Sequence, residues 1–108
     1  MARLDVYTKF ELQTSFKMES DKTVIGRDSR CAVQIPDGKV SRLHAVIYRD
    51  SSGHEIENLG TNGTKINGNF IQEPRALMPG DVIAISRYLL VYQSDETPPE
   101  SIDATILD

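Results

Sequence analysis

Asn58-Leu59-Gly60-Thr61-Asn62-Gly63-Thr64-Lys65-Ile66-Asn67-Gly68 is the stretch on which the reading of this chain turns. Three of its eleven residues are glycine and three are asparagine, the types that tolerate positive φ. The backbone here bends sharply and presents amides and side-chain amides on a loop, a rim suited to a polar ligand. Two upstream segments belong with it: Gly26-Arg27 and Ser41-Arg42-Leu43-His44.

Around these segments, short apolar or alternating runs recur between turn signals. They cover residues 4–7, 15–18, 23–25, 32–35, 44–49, 54–58, 64–66, 81–85 and 88–92. Asp-Gly, Ser-Gly, Asn-Gly and Pro-Gly breaks separate many of them, and no segment keeps helical periodicity beyond one or two turns. This pattern predicts an all-β sandwich of short, mainly antiparallel strands.

A length of 108 residues predicts one domain with its own core. Cys31 is the single cysteine and no charged-then-apolar leader opens the chain, so a reducing compartment, the cytoplasm, is expected. No apolar run approaches the roughly 20 residues of a membrane span, and no membrane partner is expected. The formal charge of −4 is unevenly spread. Residues 22–49 carry Lys22, Arg27, Arg30, Lys39, Arg42 and Arg49 against Asp28 and Asp37, whereas residues 95–108 carry five acids and no base. The basic side chains flank the motifs and favour an anionic ligand, while the acidic total argues against nucleic acid. From Ser94 the chain becomes acidic and proline-containing. It divides into a domain over residues 1–93 and an extended tail or linker over residues 94–108.

Taken together, Gly26-Arg27, Ser41-x-x-His44 and Asn62-Gly63-Thr64-x-x-Asn67-Gly68 resemble the forkhead-associated (FHA) domain, a phosphothreonine-peptide reader, over residues from about 23 to 92. The resemblance implies an FHA-type β-sandwich with its recognition loops at one end. The family's usual Asp-Leu-Gly-Ser-Thr-Asn-Gly-Thr is here Asn58-Leu59-Gly60-Thr61-Asn62-Gly63-Thr64, one residue shorter, with asparagine in place of aspartate. Thr61 still precedes Asn62 and is aligned with the family's phosphate-contacting threonine.

A phosphomonoester offers three acceptor oxygens and about −1.5 to −2 charges, so its site needs a fixed cation, hydroxyls and free amides. Arg27, Ser41, Arg42 and Thr61 supply them, with the Arg27 fork able to make two parallel bonds. Asn62 and Asn67 carry donor and acceptor together and suit a peptide main chain. Within the resemblance they are the backbone-binding pair. Lys39, two residues before Ser41, is expected to select an acidic residue downstream in the peptide. Gly26, His44 and Gly63 are expected to support the loops. Thr105, with an aspartate three residues later, and Thr97, before Pro98, are candidate phosphosites.

Other chemistries fit less well. Ser41 and His44 lie three apart on a loop entering a strand, and no Gly-x-Ser-x-Gly elbow is present, so no hydrolase is expected. One cysteine with His44 and His54 makes a poor metal set, and none is expected. Residues 60–65 lack the Gly-Lys-Ser/Thr ending of a nucleotide loop, and no cofactor is implied. The sequence predicts a non-enzymatic phosphothreonine-binding module in Ser/Thr kinase signalling. Two alternatives are a regulatory domain docking on its own phosphorylated tail, within or between molecules, and a phosphate-independent dimerisation domain.

Overall fold

A computed structural model describes residues 2–94, which form eleven strands and no helix. In chain order these are β1 (Ala2–Thr8), β2 (Glu11–Lys17), β3 (Lys22–Gly26), β4 (Val33–Gln34), β5 (Ala45–Asp50), β6 (Gly53–Asn58), β7 (Lys65–Ile66), β8 (Asn69–Phe70), β9 (Arg75–Ala76), β10 (Val82–Ile85) and β11 (Tyr88–Ser94). They build a six-stranded sheet, β2-β1-β11-β10-β7-β8, and a five-stranded sheet, β4-β3-β5-β6-β9. The β3–β4 pair is parallel, whereas the long hairpins β1–β2, β5–β6 and β10–β11 are antiparallel.

Strand alternation decides which side chains meet between the sheets. In β1, Leu4 and Val6 point inward while Arg3, Asp5 and Tyr7 take the outer face. Ile25, Ile47, Ile56, Ile66, Ile83, Ile85 and Leu90, each at most 1% exposed, lie at the centre of the core. Full burial of each such side chain contributes on the order of 1.5–3 kcal/mol.

The expected sandwich is present, with differences of detail. β2 begins at Glu11 rather than Ser15, because it is paired to β1 by backbone bonds while its side chains stay largely exposed and show no apolar pattern. The two-residue strands β8 and β9 are too short to leave a period. Asp5 is fully buried on the outer face, where Arg3 donates to both its carboxylate oxygens at 2.8 and 3.0 Å and the Ser15 hydroxyl donates at 2.7 Å.

Register fixes the position of the loops. Thr8 lies opposite Tyr88, and Lys65 opposite Ala84, so the β1–β2, β3–β4, β4–β5, β6–β7 and β10–β11 connections share one end. Ala2 lies opposite Ser94 at the other end. Thr97 and Thr105 lie outside the described residues.

Candidate functional site

β3 delivers Arg27 to the loop end, and the backbone of residues 40–42 lies directly against it. The Arg27 amide donates to the Ser41 carbonyl at 3.1 Å, and Nε donates to the Val40 carbonyl at 2.9 Å. The exposed guanidinium is thereby steadied through Nε, and its terminal nitrogens have no partner among the described residues. Gly26 makes this approach feasible. A Cβ there would sit 2.2 Å from the Arg42 carbonyl oxygen, so what the position needs is space.

His44, 1% exposed, is the hub of the site. Its Nδ1 accepts from the Ser41 amide at 3.0 Å, so Nε2 carries the proton and donates to the Gly63 carbonyl at 2.8 Å. The imidazole meets the amide of Ser41, not its hydroxyl, and no nucleophile–base pair forms between them. The hydroxyl instead accepts from the Thr61 amide at 3.1 Å, leaving its own proton free to donate outward. Asn62 Nδ2 donates to the Lys39 carbonyl at 2.8 Å. These contacts gather Arg27, Ser41 and Thr61, with Arg42 and Asn62 next in sequence, on one exposed surface.

Gly63 takes φ of +83°, which favours glycine, while Gly60 leaves room for His44, since a Cβ there would lie 2.4 Å from the imidazole ring. Asn58 closes the shortened turn. Its Oδ1 accepts from the Gly60 amide at 3.1 Å and from the Thr64 hydroxyl at 2.8 Å, and its Nδ2 donates to the Gly60 carbonyl. The sequence marks Asn58 only as a replacement for aspartate and gives Gly60 and Thr64 no task of their own, although an asparagine two residues before a glycine is itself the signature of a side-chain-closed turn.

Asn67 departs from its expected task. Its Oδ1 accepts from the Val82 amide and its Nδ2 donates to Asp81 Oδ1, both at 2.9 Å. With φ of +51° it turns the β7–β8 hairpin and pins it to β10, so the oxygen and one hydrogen of the amide expected to pair with a peptide already serve the fold. Asn62 alone of the two keeps its side-chain carbonyl and one amide hydrogen unused among the described residues.

The electrostatics favour an anion. Arg30 grips Asp28 through both carboxylate oxygens at 3.0 and 2.9 Å. Hydrogen bonds from Arg30, and then the nearby Arg42 charge, hold the Asp28 carboxyl well below the usual range. Asp37 is likewise lowered, first by the Lys39 amide, then by the Ser86 hydroxyl and the charge of Arg87. Both acids on the rim are therefore compensated by donors, and Arg27, Lys39 and Arg42 are left without ion pairs among the described residues.

Comparison with known proteins places this geometry. The family model for the FHA domain matches residues 23–86. Mycobacterium tuberculosis EmbR, solved in complex with a low-affinity phosphopeptide, is 26% identical with a TM-score of 0.76, covering 85% of this chain and 24% of that one. The FHA domain of CT664 from Chlamydia trachomatis is 24% identical with a TM-score of 0.78, covering 86% and 96%. An FHA domain solved in an analysis of phosphothreonine-dependent FHA domain interactions is 23% identical with a TM-score of 0.75, covering 88% and 99%. A search of the curated proteins found no match. With the family model spanning more than half of its length, and with the Arg27, Ser41 and His44 loops assembled at one end of a β-sandwich, the chain belongs to the FHA domain family.

Proposed function

We propose that this chain binds phosphothreonine-containing peptides in the cytoplasm and couples a Ser/Thr kinase to its target, without catalysing a reaction itself. The observation that carries this reading is the arrangement of Arg27 against Ser41, with the guanidinium's terminal nitrogens and the Ser41 hydroxyl proton both unused among the described residues. A phosphate accepts from these groups in the charge-assisted geometry that arginine forks favour. Arg42 and Thr61 complete the phosphate contacts, Asn62 pairs with the peptide main chain, and Lys39 faces the residues that follow. Similarity to EmbR, solved with a phosphopeptide, and to an FHA domain solved in an analysis of phosphothreonine-dependent interactions supports the same reading.

An oriented library of phosphothreonine peptides tests it. Enrichment of an acidic residue three positions after the phosphothreonine is expected, and Lys39→Glu is expected to reverse it; an unchanged profile removes Lys39 from the site. Among matched peptides, phosphothreonine is expected to outbind phosphoserine, since one buried methyl is worth up to about 0.8 kcal/mol and a shaped pocket roughly 1–3 kcal/mol. Equal dissociation constants contradict the reading.

A further inference from the structure

Across the outer face of the six-stranded sheet, at its loop end, one cross-strand row runs from edge to edge. Leu12 lies opposite Tyr7, Tyr7 opposite Leu89, Leu89 opposite Ala84, Ala84 opposite Lys65, and Lys65 opposite Phe70. Tyr7 and Leu89 are buried, yet the ends of the row are open, with Leu12 44% and Phe70 56% exposed. The row from Tyr7 to Phe70 floors a groove of about 600 Å³ with no acidic residue in its lining among the described residues. Its rim carries Lys9, Arg87 and Lys65, whose ammonium lies 4.8 Å from the Phe70 ring centre. Arg87 is engaged by Asp37 at 3.3 Å, whereas Lys9 and Lys65 have no ion pair among the described residues.

Two features join this groove to the phosphate loops. Asn62 and Gly63 line it, so its mouth adjoins the surface that carries Thr61. Phe10, 47% exposed, overhangs it from a hairpin turn in which Lys9 and Phe10 take φ of +51° and +64°. Such a turn favours asparagine and glycine, and an aromatic held there stores strain of the kind that functional surfaces retain.

We propose that the groove is a second subsite for the same phosphoprotein, taking an apolar segment flanked by acids that lies beyond the phosphothreonine. The inference rests on the function proposed above. An apolar floor with unpaired cations at its rim complements aliphatic or aromatic side chains beside carboxylates, and the continuity through Asn62 and Gly63 lets one extended chain occupy both places. A partner that fills both sites gains affinity from the second without a second association cost.

Three probes test this with the full chain: the peptide Ala-Ala-pThr-Ala-Ala-Asp, and the same core extended by Asp-Leu-Phe-Asp through a Gly-Ser spacer at its N-terminal or its C-terminal side. One extended peptide is expected to bind about tenfold more tightly than the core and to shift the amides of Ala84 and Leu89. Lys65→Glu and Phe10→Asn, the latter well suited to positive φ, are expected to abolish that gain and leave core affinity unchanged. Equal affinity of all three probes overturns the subsite and leaves the proposed function standing. Failure of the core itself to bind overturns both. Shifts at Ala84 and Leu89 that occur without peptide also overturn it: if they vanish when residues 95–108 are removed, the occupant is the tail, and if they grow with protein concentration, it is a second copy.

Discussion

Gly60 sets how closely the β6–β7 loop can approach His44, and a single methyl there reaches well inside contact distance of the imidazole. Gly60→Ala is expected to cost about 1–3 kcal/mol in denaturant unfolding, since neither the loop nor the ring can withdraw without breaking the His44 bonds to Ser41 and Gly63. Asn67→Ala is expected to cost a similar 1–3 kcal/mol by stranding the Val82 amide and Asp81, while phosphopeptide affinity is retained. Asn62→Ala is expected to do the opposite, with stability nearly kept and affinity reduced. The two asparagines look alike in sequence because each precedes a glycine in one loop-rich stretch. What separates them is Asp81, which lies 14 residues beyond Asn67 and becomes its neighbour only when β7 pairs with β10.

At the scale of elements, the strands with one apolar face were legible and those held by other means were not. β10 and β11 announce themselves through Val, Ile, Leu and Tyr, whereas β2 is recruited by the hairpin turn and the backbone of β1. His54, on β6, shows how context defines a residue that the sequence treats only as a poor metal ligand. It is 9% exposed, its Nδ1 lies 2.7 Å from the Tyr92 hydroxyl, and its Nε2 has no partner among the described residues. Burial lowers its pKa, the Arg49 charge adds to that, and Asp50 opposes it. The unfolded chain therefore takes up a proton near pH 6.5 that the fold resists, so stability is lost as pH falls below that value. His54→Phe is expected to reduce this slope in thermal melts between about pH 7 and pH 5. An undiminished slope would show that His54 is not the group responsible.

Over the whole molecule, two sheets that share a core bring their loops together at one end, and side chains bind the loops to one another. Asp37 in the β4–β5 loop accepts from Ser86 in the β10–β11 turn, and Asn62 reaches back to Lys39. Of the basic segment, Arg27, Arg30, Lys39 and Arg42 lie in the loops at this end, whereas Lys22 and Arg49 lie toward the other, so the segment composition foreshadows the basic loops only in part. Ser94 leaves from the opposite end, so a phosphorylated Thr105 is expected to engage the site of another molecule more readily than its own. Light scattering after phosphorylation at Thr105 should then show self-association that Arg27→Ala abolishes. The Arg27 and Ser41 surface is expected to bind phosphothreonine. Calorimetric titration of a library-selected phosphothreonine peptide into the chain and into Arg27→Ala, with melting curves for both, tests it most directly. Melting is expected to be unchanged and binding to weaken by roughly 2–5 kcal/mol, enough to abolish an interaction of about micromolar strength. A folded Arg27→Ala that keeps its affinity to within about threefold, less than 1 kcal/mol, would contradict it.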